Sequence, residues 1–159
     1  MIRILIFLLV IFSISNCGFK PMYKSDGIGI ELNRISINFE GDISYEIKEE
    51  LKSLLNTNKE SSDYTVLVGV KEEVIPVIIN ENGTVSKYQI DITLFFEVSD
   101  KSGKLLLDDV AIGFAQYDAL TSEIENKDLR KQMIKSATAD AASLMITKIQ
   151  SKLSLANDN

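Results

Sequence analysis

The sequence predicts an α+β domain, a two-layer sandwich of a four-stranded, largely antiparallel sheet with two helices packed on one face, in the order β-α-β-β-β-α. Three observations predict it. Three successive stretches between residues 64 and 118 alternate apolar and polar side chains and are joined by hairpin signals, the pattern of antiparallel strands with one solvated face. One stretch before them and one after repeat their apolar residues at helical spacing instead. Each of those helices has a single apolar face to bury, and the apolar face of the sheet is where it can go.

"IGIELNRISINFEG" reads as the first strand. Ile30 and Leu32 alternate, as do Ile35, Ile37 and Phe39, but the two sets are out of phase, which a bulge near Asn33 and Arg34 reconciles. "GDISYEIKEELKSLLNT" is a helix with Asp42 as its cap and Ile43, Ile47, Leu51, Leu54 and Leu55 on one face. "DYTVLVGVKEEVIPVII" is a long strand with Tyr64, Val66, Val68 and Val70 on one side. Pro76 cannot donate to a ladder and marks an edge or a bulge.

Asn82-Gly83 supplies a tight hairpin turn. In "SKYQIDITLFFEVSD" the residues Tyr88, Ile90, Ile92, Leu94, Phe96 and Val98 face one way, and Lys87, Gln89, Asp91, Thr93 and Glu97 the other. "DKSGK" turns the chain, and "LLLDDVAIGFAQYD" returns as a strand expected to point Val110, Ile112 and Phe114 inward. Ser122 and Glu125 match a capping box. The helix that follows carries Leu129, Met133, Ala137, Ala141, Leu144, Met145 and Ile149 on its apolar face, with Ala137 and Ala141 permitting close approach.

The amino-terminal end has a different character. Arg3 precedes a nearly unbroken apolar run, Ile4 to Ile14, the layout of a secretory signal. The run is too short for a spanning helix, which needs about 20 residues. Four segments result: 1–16, signal peptide; 17–28, tether; 29–153, one domain; 154–159, a frayed tail. Removing the signal takes away only Arg3 among charged side chains, so 16 basic and 23 acidic residues remain, net −7. An acidic chain of this kind lacks the concentrated basic surface that nucleic acid requires.

The 159 residues contain one cysteine and no histidine. An exported chain with a lone cysteine forms no internal disulfide. "FSISNCGFKPMY" resembles a bacterial lipoprotein cleavage site, with Ile14 and Ser15 in pattern and Asn16 where Gly, Ala or Ser is usual. The resemblance implies that Cys17 receives a diacylglycerol and becomes the first mature residue. Acyl chains contribute about 0.8 kcal/mol per buried methylene, enough together to hold a protein on a membrane. Gly18 after the cysteine implies sorting to the outer membrane. Phe19, Met22 and Tyr23 in the tether either ride in a flexible spacer or pack on the domain or a partner.

Catalytic signatures are missing. No histidine is available as general base or metal ligand, and an acylated Cys17 leaves no thiol. Asp108 and Asp109 are adjacent on a strand and point to opposite faces. Gly27 and Gly29 lack the third glycine and the strand-turn-helix setting of a dinucleotide site. Neither an enzyme nor a cofactor or metal site is expected.

"CGFKPMY", the element order, "NGTVSKYQIDITLFFEV" and "FAQYDAL" ahead of a long last helix together resemble the LptE family, the lipopolysaccharide-assembly lipoproteins of Gram-negative outer membranes. The resemblance spans essentially the whole mature chain. It implies a non-enzymatic lipoprotein, anchored in the outer membrane and facing the periplasm and barrel lumen, that plugs the LptD β-barrel and helps it fold. The pair would receive lipopolysaccharide and deliver it to the outer leaflet. Some family members bind lipopolysaccharide through basic residues; here Glu81 stands before Asn82-Gly83. The alternative is a periplasm-facing lipoprotein of another lipid-transport complex that binds a soluble partner or small ligand. An internal apolar cavity would favour that alternative, and a solid core with an apolar outer face the plug.

Three surfaces are candidates for contact. Thr93 and Phe95 are expected to adjoin Ala111, Gly113 and Ala115 on the solvated sheet face, a flat surface of small residues around one aromatic. Phe95 is otherwise a lone exposed apolar residue, which is common. "VIPVII", with Val74, Ile75, Val77 and Ile78, is too apolar to be left bare and either folds onto the core or meets a partner. Lys127, Lys131 and Lys135, with Arg130 beside them, form a basic stripe that meets lipopolysaccharide phosphates or an acidic partner, or is an ordinary solvated face beside Glu123 and Asp128.

Overall fold

The computed structural model describes residues 35–55 and 62–157, with side chains as far as residue 153. The leader 1–16, Cys17, the tether 17–28 and the bulge at Asn33 and Arg34 lie outside the described residues. The elements are β1 (Ile35–Glu40), α1 (Tyr45–Leu55), β2 (Tyr64–Ile79), β3 (Val85–Asp100), β4 (Leu105–Asp118) and α2 (Glu123–Asn157). They form one four-stranded sheet in the order β1-β2-β3-β4. Strands β2, β3 and β4 pair antiparallel through hairpins, whereas β1 runs parallel to β2 because α1 carries the chain back between them. The fold is thus α+β with a mixed sheet, antiparallel except for one edge pair.

Local chemistry sets the boundaries. The Lys48 N–H donates to the Ser44 carbonyl at 3.1 Å, so Ser44 and not Asp42 occupies the cap position of α1. The β2–β3 reversal spans Asn80 to Thr84: the Gly83 N–H donates to Asn80 O at 2.9 Å, and Gly83 has φ of +82°. The β3–β4 reversal repeats the device, with Gly103 at φ +81° and its N–H on Asp100 O at 2.9 Å. There the Asp100 carboxylate also accepts the Ser102 and Lys104 N–H groups at 2.8 and 3.0 Å, and the Ser102 hydroxyl, donating to it at 2.6 Å, is the main cause that holds its pKa below the usual value. At the start of α2, the Glu125 N–H reaches Ser122 Oγ at 3.4 Å. The last helix continues through Asn157, past the 153 boundary at which the sequence suggests a tail.

The core lies between one sheet face and both helices. Ile90, Ile92, Leu94, Phe96 and Val98 of β3 are buried, with Val66 and Val68 of β2 beside them. Ile47, Leu51 and Leu55 of α1 and Ala137, Ala141, Met145, Ile149 and Leu153 of α2 close the layer. Burying each large side chain contributes about 1.5–3 kcal/mol. Leu144, expected on this face of α2, is exposed, and Ile134 and Ala142 are buried in its place. Buried Thr138 donates its hydroxyl to the Ile134 carbonyl at 2.7 Å, so the one polar side chain in the described core is satisfied.

Strand β4 corrects the sequence reading. Ala111 and Gly113 face the helices and Ala115 packs partly beneath them, while Ile112 and Phe114 point away into solvent. The reason is the distance at which α2 crosses the sheet. A Cβ on Gly113 would collide with the Ala137 carbonyl oxygen and lie 2.5 Å from the Ala141 nitrogen. Backbone rests on backbone there, so the small set turns inward and the branched and aromatic set is forced outward. Lys148 of α2 fastens the contact, reaching the Asp109 carboxylate at 2.7 Å and the Val110 carbonyl at 2.8 Å.

Three outcomes follow from this crossing. Gly113→Ala is expected to destabilise the domain by about 1–3 kcal/mol, the range for overpacking, and to lower Tm in a thermal melt. Ile112→Thr, one residue away on the open face, should stay within about 0.5 kcal/mol. The Asp109 carboxyl titrates below its usual value, chiefly through its hydrogen bond from Lys148. A lowered folded pKa means stabilisation fully present above the unfolded value, about 3.9, and lost as pH falls through the folded one. The Tm difference between wild type and Asp109→Asn should therefore be constant near neutrality and shrink below pH of about 4.

Candidate functional site

Strand alternation gives the sheet a second face that no described element covers. Its centre is apolar. Thr93 pairs with Ile112, Phe95 with Val110 and Asp91 with Phe114 across β3 and β4. Phe95, Ile112 and Phe114 are 48%, 57% and 61% exposed, large values for side chains of this kind. Leu67 and Gly69 of β2 continue the strip toward β1. Thr93 and Phe95 thus lie on the outer face as the sequence suggests, but Ala111, Gly113 and Ala115 lie on the opposite one, under α2. In their place stand Val110, Ile112 and Phe114, which periodicity alone could not assign. The signal that could have found them was the Ala137/Ala141 pair: a helix able to approach that closely needs small residues beneath it.

The second candidate surface forms an arm. Strand β1 accompanies β2 only from Tyr64 to Gly69, so β2 from Val70 to Ile79 has β3 on one side and no described strand on the other. Val74, Ile75, Val77, Ile78 and Ile79 are all exposed on this stretch. They do not fold onto the core. Pro76 sits on the free-edged segment, where the register with β3 breaks between Pro76 and Ile78, and an edge proline discourages further strand addition.

The basic stripe on α2 is partly engaged within the molecule. Arg130 pairs with Glu72 of β2 at 2.9 Å and Lys131 approaches Glu46 of α1 at 3.8 Å. Lys127 and Lys135 are exposed. The four residues therefore do not act as one uniform cationic row, and exposed pairs such as these contribute about 0–1 kcal/mol each.

Two surface recesses lie among the described residues. One, of about 310 Å³, lies between the start of α1 and β2 and is lined by Asp42, Ile43, Ser44, Ile47, Val70 and Glu72. The other, of about 70 Å³, is a notch on the outer sheet face among Glu40, Leu67, Gly69, Phe95, Phe96, Glu97 and Asp108. Both are open and bordered by carboxylates. Among the described residues no cluster of three potential metal ligands occurs, and no helix is long and apolar enough to cross a membrane.

Known proteins share this architecture. A lipoprotein-described structure from Caulobacter crescentus CB15 superposes with a TM-score of 0.62 at 17% identity, covering 80% of this chain and 94% of that one. Rare lipoprotein B from Shewanella oneidensis also gives 0.62, at 11% identity, covering 80% of this chain and 100% of its own. A lipoprotein B from Nitrosomonas europaea gives 0.59 at 16% identity, covering 77% and 84%. At such identities the likeness shows the fold. No curated protein sequence matches the chain. The model of the LptE family, described as lipopolysaccharide-assembly, matches residues 30–149, which cover β1 and the whole sheet and most of α2. On that match the chain belongs to the LptE family of lipopolysaccharide-assembly lipoproteins.

Proposed function

We propose that the protein is an outer-membrane lipoprotein, anchored through Cys17, that plugs the LptD barrel and helps it assemble for lipopolysaccharide transport to the outer leaflet. It works by packing and not by chemistry. The observation that carries the reading is the uncovered apolar sheet face, with Phe95, Ile112 and Phe114 presented together on adjacent strands. A contiguous exposed apolar patch on a stable domain marks a contact surface, and family membership supplies the partner. The exposed apolar arm from Val74 to Ile79 is a second surface suited to a barrel wall or an acyl chain. The small-ligand alternative called for an enclosed apolar chamber, whereas the recesses found are open and carboxylate-bordered.

Co-expression of the full-length lipoprotein with the same organism's LptD, followed by detergent purification, tests the proposal. Ile112→Lys with Phe114→Lys should reduce the recovered complex by about tenfold or more, the size expected when charges enter a desolvated contact. The isolated variant should keep its Tm, because both side chains are already solvated. A barrel that folds and purifies equally well without the lipoprotein would sink the assembly role. For the anchor, mass spectrometry of the membrane fraction should find Cys17 acylated as the first residue, and Cys17→Ala should move the protein out of that fraction.

A further inference from the structure

The outer sheet face carries more carboxylates than its own cations neutralise. Glu40, Glu73, Asp91, Glu97, Asp108 and Asp118 project from it by strand alternation, against Lys71 and Lys87. Both lysines are engaged, Lys71 with Glu73 at 2.9 Å and Lys87 with Asp118 at 3.4 Å. Among the described residues no cation pairs with Glu40, Glu97 or Asp108. Glu97 and Asp108 are direct register partners on β3 and β4, so two like charges face each other, an arrangement that costs stability. With Glu40 they rim the notch whose apolar lining includes Leu67 and Phe95. Gly69 leaves the notch open, since a Cβ there would meet only Phe95 Cβ, at an ordinary 3.9 Å.

We propose that this face docks a protein partner through a cationic side chain, arginine above all, that enters the notch, lies on the Phe95 ring and pairs with Glu97 and Asp108. A guanidinium stacks on an aromatic face and binds carboxylates through its planar fork, which matches what the notch offers. The neighbouring apolar strip seats the partner's apolar residues beside the pair, which stays close enough to solvent for salt to screen it. A phosphate-bearing glycolipid would meet repulsion here, because its head group shares the sign of the unpaired carboxylates. A second copy in two-fold contact would set the same acidic face against itself. The inference rests on the plug reading and deepens it: the barrel wall that receives this face presents arginine or lysine beside apolar residues.

The experiment uses the full-length lipoprotein co-purified with LptD at low and high salt. The variants are Glu97→Gln/Asp108→Asn and Gly69→Leu, the latter filling the notch without altering charge. Wild-type complex should weaken as salt rises. Each variant should bind about tenfold more weakly, and the neutralised one should lose most of the salt dependence. The neutralised protein alone should melt no lower than wild type, because the like-charge pair is relieved. A wild-type complex that the neutralised variant matches in affinity and salt response overturns the inference and leaves the plug reading standing. Failure of the wild type to form any complex overturns the plug reading and this inference with it. Self-association, or capture of lipopolysaccharide vesicles, that disappears in Gly69→Leu would put a different occupant on the face and also overturn it.

Discussion

The backbone-to-backbone crossing of α2 over β4 at Gly113 is the constraint on which the arrangement of surfaces depends. A helix normally rides on a cushion of side chains above a sheet. Here Ala137 and Ala141 above, and Gly113 below with Ala111 beside it, remove that cushion. A strand has only two faces, so once the small residues of β4 are committed to the helix side, its large residues have nowhere to go but out. Interior packing thereby dictates the exterior. The same crossing orders the two ends of the contact, with Lys148 bridging to Asp109 and Val110 near one and Arg130 reaching Glu72 of β2 nearer the helix start.

This explains why a well-packed domain presents a wide apolar surface. If the helix stood farther from the sheet, Ile112 and Phe114 could have been buried and the outer face left polar. Instead the core is filled by β1, β2, β3 and the two helices, and the surplus apolar side chains of β4 are displayed on the outer face of the sheet. In the plug role proposed above a preformed sheet face would matter, because a partner that meets a preorganised surface loses less conformational freedom on binding. If the face docks as proposed, its acidic margin would add selectivity for cationic protein surfaces over anionic lipid, while the arm beyond it is free of the core and apolar on both sides.

The length mismatch between strands has its own consequence. A short β1 lying parallel on β2 leaves the distal half of β2 without a neighbour on one side among the described residues. Such an edge invites pairing with other chains unless something interrupts it. Pro76 and the register break beside it are that interruption. The arm can therefore stay apolar without being an open template for strand addition.

Much of the fold was legible from residues alone. The alternation in β3, the glycine-bearing hairpin loops and the helical spacing of Ile47, Leu51 and Leu55 each report a local rule, period 2, a positive φ or period 3.6, that holds wherever the segment ends up. Element order, the one-sided placement of both helices and the burial of β3 follow from those rules. The facing of β4 does not. "VAIGFAQ" alternates large with small, and either set satisfies a period of two. Which set is buried depends on the gap between sheet and helix, a distance set by residues 137 and 141, far along the chain. The capture of Arg130 and Lys131 by Glu72 and Glu46 was hidden for the same reason, since each partner sits on a different element. The sequence by itself determined the elements and their order, because those are decided by neighbours in the chain. Only the tertiary structure decided which apolar residues face outward, because that is decided by how closely distant segments can pack.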